Sequence, residues 1–336
     1  MNTTKVEKIL NQINTNRSLL IEKYPDLGTK VAAIKRSAAE DLKQIVDQAV
    51  KTLKAKGCHV ILAKDVKEAR EQVNKILSGS KKVVMSKNPV FTEIELAPYL
   101  ESQNIEIIRT DLGERLAPSK IDVHPWIASI NTPINNAGQI QQIKEDVRQQ
   151  ASYTEYGITG VDAIIAANGT IGLLEAEGNV RFTSNLPYNH IVVAGLEKIV
   201  PTLEDALAVC RATSIYGLGK DMLNYISFIS GPSRTADIEF TMVQGMHGPK
   251  EVYVVLVDNG RLEASARGDL DALMCLHCGG CLVNCQNYLK EGLERGYRYS
   301  GKWQRVLAKF MQNCSEPLEQ VDSTECHSVC PLGIQG

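Results

Sequence analysis

Cys58-His59-Val60-Ile61-Leu62-Ala63 is a short apolar run of the kind that forms a buried β-strand. Apolar residues at helical spacing follow it from about residue 65 to 77, and residues 82–86 then predict a second strand. Another helix near residues 93–103 leads to a third strand at residues 105–109. This alternation of strand and helix is typical of a parallel α/β sheet with right-handed crossovers.

The chain on either side extends the α/β pattern. Residues 1–56 read as helix, because apolar positions recur there at three- and four-residue steps. Downstream, Asn168-Gly169 between two apolar runs predicts a β-hairpin. Two further buried strands are predicted at residues 190–196 and 252–258. Between them, Thr202-Leu203-Glu204-Asp205 predicts a helix N-terminus, with Asp in the place of the usual Glu of a capping box.

The cysteines divide the chain into domains. Seven of the nine follow residue 270, so a change in composition separates a cysteine-rich region from the α/β region. We expect an N-terminal helical segment at residues 1–56, a mixed-sheet α/β domain at residues 57–268, and a small helical, ferredoxin-like iron–sulfur domain at residues 269–336.

The motif Cys-x2-Cys-x2-Cys-x3-Cys at residues 275–285 is the spacing that binds an iron–sulfur cluster. A disulfide framework suits a small secreted chain, and zinc usually takes two cysteine pairs with a longer spacer, so both alternatives fit less well. In two-cluster proteins a distant Cys-Pro completes the first site, and Cys330-Pro331 supplies one here. We therefore predict a [4Fe–4S] cluster on the thiolates of Cys275, Cys278, Cys281 and Cys330.

The remaining cysteines of this region predict a second cluster, on Cys285, Cys314 and Cys326. With three thiolates it is either [3Fe–4S], or [4Fe–4S] with Ser323, His327 or a small ligand on the fourth iron. The pairing resembles the iron–sulfur subunit of succinate dehydrogenases. The alternative is that Cys314 is an ordinary buried thiol.

Composition excludes several classes of function. A net charge of −2 without a run of Lys or Arg argues against nucleic-acid binding. The sequence contains no apolar stretch of 18 residues, so no membrane span is predicted. The N-terminus does not resemble a signal peptide, and clustered free thiols indicate a reducing compartment, so we expect a cytoplasmic protein. No Gly-x-Gly-x-x-Gly opens a helix, so dinucleotide binding is unsupported.

Seven sequence blocks between residues 157 and 261 resemble the LUD-domain lactate utilisation iron–sulfur protein family. They are Gly157–Ala163, Asn168–Thr170, Glu175–Arg181, Leu186–Thr202, Ser230–Asp237, His247–Glu251 and Asp258–Arg261. The resemblance implies a fold similar to the CoA-transferase and ribose-5-phosphate isomerase superfamily. It also implies an iron–sulfur electron-transfer subunit of an oxidoreductase complex that converts L-lactate to pyruvate. The expected partners are a cysteine-rich iron–sulfur subunit and a second LUD-type subunit or flavoprotein.

Oxidation of a hydroxy acid needs a cation for the carboxylate and a base near the hydroxyl group. Arg181 and Arg234, each in a Gly- or Pro-rich turn, are candidate carboxylate ligands, and His190 is the candidate base; Glu177 and Lys198 are secondary candidates. A structural role for His190 is the simpler alternative. Two other functions stay open, namely a non-catalytic redox sensor or assembly scaffold, and an electron-transfer subunit of a different redox complex.

Overall fold

The computed structural model describes residues 3–112, 115, 137–222, 225–238, 241–281 and 330–334. Its helices are α1 (Thr3–Lys23), α2 (Leu27–Glu40), α3 (Leu42–Ala55), α4 (Val66–Ile76), α5 (Pro89–Glu93), α6 (Leu96–Ser102), α7 (Ala137–Ser152), α8 (Asn179–Asn185), α9 (Leu203–Leu218), α10 (Arg261–Ala266) and α11 (Asp271–Met274). Its strands are β1 (His59–Ala63), β2 (Lys82–Met85), β3 (Glu106–Arg109), β4 (Tyr156–Thr159), β5 (Ala163–Ile165), β6 (Thr170–Glu175), β7 (Asn189–Gly195), β8 (Ile199–Val200), β9 (Tyr225–Ile229), β10 (Arg234–Ile238), β11 (Thr241–Gln244) and β12 (Glu251–Val257).

The central element is a six-stranded sheet in the order β1-β12-β7-β4-β2-β3. Every pairing in it is parallel; Val254 of β12, for example, lies between Val60 of β1 and Val192 of β7. Parallel strands covered on both faces are continuously apolar, and this explains why β7 and β12 were recognisable as uninterrupted hydrophobic runs. The predicted α/β fold with a parallel sheet is confirmed.

Alternating side chains of the central strands point into two separate hydrophobic cores. Val192 and Val254 pack in one core with α3, whereas Val193 and Val255 pack in the other with α4, α5 and α6. Strand geometry sends successive side chains to opposite faces, so helices are needed on both sides to bury them. The result is a three-layer arrangement.

The hairpin predicted at Asn168-Gly169 belongs to a second sheet. Strands β5 and β6 pair antiparallel around Gly169, whose φ of +68° is the left-handed conformation that glycine adopts at little cost. They continue the four-stranded order β8-β5-β6-β9, and β10 and β11 form a separate antiparallel pair. Because β5 pairs parallel with β8 and antiparallel with β6, the mixed pairing that we expected lies within this smaller sheet.

The helix predicted near residues 93–103 is α6, and a second short helix, α5, precedes it. Glu95 lies between the two helices with a φ of +46°. Arg70 of α4 contacts this junction, because its Nη2 donates to Glu95 Oε2 at 2.9 Å and its Nε donates to the carbonyl of Ile94. Helical periodicity within the segment does not contain this contact from α4.

Candidate functional site: the cysteine loop and the adjoining cleft

The described part of the first cysteine motif, residues 275–281, forms a loop that follows α11 and packs against the smaller sheet. Cys275, Cys278, Cys281 and Cys330 are all half-buried and none forms a disulfide. Cys275, Cys278 and Cys330 pack on one apolar cluster that includes Leu276, Leu332, Ile334 and several residues of α9. The fold therefore brings the Cys-Pro segment, distant in sequence, to the loop.

The four thiols are close enough for their charges to interact. Burial raises the pKa of Cys275 well above its ordinary value, and the negative charges of Cys278, Cys281 and Cys330 raise it further. Two backbone N–H groups favour the thiolate forms of these cysteines. His277 N lies 3.4 Å from Cys275 Sγ, and Gly280 N lies 3.5 Å from Cys278 Sγ. Amide groups directed at sulfur stabilise a thiolate, and such hydrogen bonds help set the potential of an iron–sulfur cluster.

The backbone of the loop is turned back at two positions. His277 has a φ of +57° and Gly279 a φ of +72°, both in the left-handed region. A non-glycine residue held there costs on the order of 1–3 kcal/mol, and such strain persists where the surroundings fix the conformation, often at functional sites. The turn directs the amide of His277 towards the thiol of Cys275.

The donor set fits an iron–sulfur cluster in its chemistry. Four cysteine sulfurs are soft ligands of the kind that such clusters require. Within the described ranges, no three or more His, Cys, Asp or Glu side chains surround a position for a single metal ion. A cubane distributes its ligands over four irons, so its thiolates need not converge on one point. Cys285, Cys314 and Cys326 lie outside the described residues, as do Ser323 and His327, and the second cluster stays a prediction.

A cleft of about 80 Å³ adjoins the cysteine loop. Leu276 and His277, which separate the first two cysteines, form part of its wall. The opposite walls come from the ends of β2, β4 and β6 and from the residues that follow them. Its polar lining consists of Ser86, Lys87, Asn88, Asp111, Asp162, Glu175, Glu177, Asn179, Lys198 and His277. The cysteine loop and the α/β region thus share one concave surface.

The acidic groups of the cleft hold protons more tightly than usual. Burial is the main cause for Asp162 and Glu175, whose pKa values are both raised. Desolvation and the charge of Asp111 raise the pKa of Glu177 to about 7, although the residue as a whole is exposed at the rim. Such a carboxyl group exchanges protons near neutral pH, a property that a general base requires.

Lys198 joins the cleft to the cysteine loop. Its Nζ lines the cleft and donates to the backbone carbonyl of Leu276 at 3.4 Å. Its positive charge also opposes the rise in the pKa of Asp162. Lys198 and Glu177, the secondary candidates of the sequence, are therefore both on the cleft.

None of the three primary candidates is among the described lining residues of this cleft. His190 is fully buried in β7, where its Nε2 lies 2.8 Å from Thr159 Oγ1, and burial lowers its pKa to about 3. Arg181 stacks over Tyr225 at 4.1 Å from the ring centroid, and its Nε lies 3.7 Å from Oε1 of Glu175, a residue of the cleft lining. Arg234 is exposed and donates to the carbonyl of Lys56 at 3.4 Å. The structure does not bring these three side chains together at the cleft, and their catalytic roles stay predictions.

A buried ion network behind the loop was not found from the sequence. Arg261, fully buried, donates to both carboxylate oxygens of Glu93 at 2.8 and 2.7 Å and also to Glu197. Glu197 Oε1 lies 3.7 Å from His277 Nε2, and Lys35 donates to the backbone carbonyl of Glu197. The available signal was that Arg261 and Glu197 both lie in sequence blocks that resemble the LUD family.

The network keeps its groups charged despite their burial. Burial alone would raise the pKa of Glu197, but the charges of Arg261, Lys198 and Lys35 lower it below its ordinary value. Burial likewise opposes the charge on Arg261, and the carboxylates of Glu197 and Glu93 outweigh it and raise its pKa. Lys35 is the exception, since burial lowers its pKa to about 8.

Comparison with known proteins gives a consistent result. The family model of the LUD domain matches residues 46–257. Lactate utilization protein B of Anoxybacillus flavithermus is 28% identical over 93% of this chain and 70% of its own length. The Bacillus subtilis protein of the same name is 27% identical over 90% of this chain and 67% of its own length. A protein of Escherichia coli K12 named uncharacterized electron transport protein YkgF is 26% identical over 96% of this chain and 72% of its own length.

Among solved structures, a DUF162 family protein from Deinococcus radiodurans is similar with a TM-score of 0.39 and 18% identity, over 64% of this chain and 98% of its own. In the described part of the chain, no helix combines the length and apolar character needed to cross a bilayer.

Proposed function

Because the chain belongs to the LUD domain family, we propose that it is the iron–sulfur electron-transfer subunit of an oxidoreductase complex that oxidises L-lactate to pyruvate. The supporting observation is the assembly of Cys275, Cys278 and Cys281 with Cys330, whose charges interact. The first two of these thiols also accept backbone N–H groups. Relatives that cover most of the chain are named for lactate utilisation and for electron transport.

The four thiolates hold a [4Fe–4S] cluster, and Cys285, Cys314 and Cys326 hold a second one of three or four irons. Bound clusters supply reversible one-electron transfer. Conversion of lactate to pyruvate releases two electrons and two protons, so the two-electron step belongs to a partner subunit that carries an organic cofactor such as flavin. This chain then passes the electrons on one at a time.

The cleft gives the α/β region its role in this proposal. Leu276 and His277 line it, so whatever docks there contacts the segment between two cluster ligands. Lys198 supplies a positive charge, and Glu177, with a pKa raised to about 7 by desolvation and by Asp111, supplies a proton acceptor. The cleft therefore suits either the small acid or the reduced group of a partner subunit.

Iron and sulfide analysis with EPR of anaerobically purified protein tests the clusters. We expect about seven to eight irons per chain and, after dithionite reduction, signals of interacting clusters. Cys330→Ser loses the signal of the first cluster, whereas Cys58→Ser, which alters a buried thiol of the apolar core, keeps it. Wild-type protein without iron after anaerobic reconstitution would remove the basis of the proposal.

A second experiment tests the substrate. The complex purified from cells grown on L-lactate should reduce its clusters when L-lactate is added and should not respond to D-lactate. The isolated chain with an artificial acceptor should not oxidise lactate. Oxidation of lactate by the isolated chain would place the chemistry on this subunit. If neither isomer reduces the clusters of the complex, the chain belongs to another redox reaction.

A further inference from the structure

Arg17 of α1 is buried against the cysteine loop. Only 6% of the residue is exposed. Its Nη1 donates to two backbone carbonyls at 3.2 Å each, that of Tyr216 in the last turn of α9 and that of Gly280 between two cysteines. Its Nη2 donates to Asn14 Oδ1. These contacts fix the guanidinium group at the junction of α1, α9 and the loop.

The backbones of α9 and the cysteine loop are in close contact at this junction. A Cβ atom added to Gly217 would lie 2.6 Å from the carbonyl oxygen of Cys278, and one added to Gly280 would lie 3.1 Å from Arg17 Nη1. Both glycines leave room for a close approach, which places the charge of Arg17 beside the loop with no side chain between.

The charge of Arg17 acts on the thiols. Burial opposes the charged guanidinium, while the charges of Cys278 and Cys281 favour it. In return, Arg17 favours the thiolate form of Cys278. Arginine keeps its charge in proteins, so this positive charge is permanent.

We propose that Arg17 is the fixed counter-charge of the first cluster and raises its reduction potential. The proposal rests on the cluster assigned above. Reduction adds one electron, and hence one negative charge, to the cluster; a permanent positive charge at short range in a partly buried site stabilises that reduced state. Arg17 is a positioning residue, because it contacts the loop through the Gly280 carbonyl and does not bind iron.

A purely structural role is the alternative, since a basic side chain at the C-terminus of α9 also satisfies the free carbonyls there. The two roles differ in what they do to the potential. A structural role predicts loss of stability or of iron, and no shift in the potential of the clusters that remain.

The test is a redox titration with dithionite, followed by EPR, on anaerobically purified full-length protein. Arg17→Gln removes the charge and should lower the midpoint potential of the first cluster. Arg17→Lys keeps the charge and should restore most of the shift. Arg211→Gln is the matched control, because this arginine of α9 faces Asp221 at 2.7 Å instead of the thiols.

Asn14→Asp keeps the hydrogen bond to Arg17 and adds an opposing charge, so it should also lower the potential without removing a packed side chain. It decides the question if Arg17→Gln retains no iron. Two results would overturn the inference but not the assignment of the cluster. One is a wild-type potential in variants that contain iron, and the other is a shift in Arg17→Lys as large as that in Arg17→Gln. Iron-free wild-type protein would instead overturn the proposed function and this inference with it.

Discussion

Removal of Arg261 should destabilise the protein severely. In Arg261→Met the buried carboxylate of Glu93 loses two hydrogen bonds and keeps the one from Asn259 Nδ2 at 2.9 Å. Glu197 keeps the nearby charges of Lys35 and Lys198. The buried carboxylate of Glu93 then lacks the guanidinium group of Arg261, a loss that costs about 3–5 kcal/mol. This is a large part of the roughly 5–15 kcal/mol that stabilises a folded protein.

Anaerobic urea unfolding followed by circular dichroism measures the effect. The matched control is Arg267→Met, which breaks an exposed ion pair with Glu263 at 2.8 Å and should cost about 0.3–0.5 kcal/mol. A difference between the two variants below about 1 kcal/mol would refute the view that a buried charge depends on Arg261.

The pH dependence provides a second, independent criterion. The pKa of Glu197 is lowered in the folded protein, so its contribution to stability is present above the ordinary value of 4.5 and is lost as the pH falls through the folded-state value. Without Arg261 the carboxyl group of Glu197 loses one of the charges that lower its pKa and protonates at a higher pH. The stability difference between Arg261→Met and wild type should therefore narrow as the pH is lowered, and a constant difference would contradict this account.

Three further predictions concern single sites. Thr202→Ala removes the capping box of α9 and should cost about 1 kcal/mol in urea unfolding; an unchanged midpoint would contradict the capping role. Burial lowers the pKa of His190 to about 3, so the unfolded chain takes up its proton first and stability should fall as the pH drops from 6.5 to about 5. His190→Gln should flatten that slope, and an equal slope would mean that another group titrates. Gly217→Ala should reduce iron content, because its Cβ would lie 2.6 Å from the carbonyl oxygen of Cys278, whereas Gly172→Ala, with a nearest contact of 3.4 Å, should not; equal losses would argue against the close approach.

Local signals were sufficient for much of the fold. Apolar runs located β1, β2, β3, β7 and β12. The central strands β7 and β12 are buried on both faces and have few polar positions, whereas β1 and β3 lie at the edges of the sheet and are partly exposed. The hairpin at Asn168-Gly169 and the capping box at Thr202 and Asp205 are confirmed as predicted. These features depend on residues adjacent in sequence, and a single sequence contains that information.

Features that depend on distant contacts were not accessible in the same way. The ion pair of Arg70 in α4 with Glu95, at the junction of α5 and α6, cannot be inferred from the periodicity of either segment. The pairing of Arg261 with Glu93 and Glu197 joins three separate segments, and each residue alone resembles an ordinary surface charge. His190 is a different case: a polar residue at the start of a strand suggested chemistry, the fold buries it beside Thr159, and its catalytic role stays a prediction.

The packing of the cysteine loop also affects the stage of synthesis at which the four thiols can come together. Gly28 of α2 lies so close to Pro331 that an added Cβ would be 2.9 Å from its carbonyl oxygen, and Leu332 and Ile334 pack with Val31. The helices that support the loop are synthesised first, and the segment that carries Cys330 is synthesised long after the other three thiols. The ligand set that we propose for the first cluster is complete only after Cys330 has been translated, and Leu332 and Ile334 then pack with Val31 of α2. Loading of the proposed cluster would therefore come at the end of synthesis, when the early and late segments of the chain are in contact.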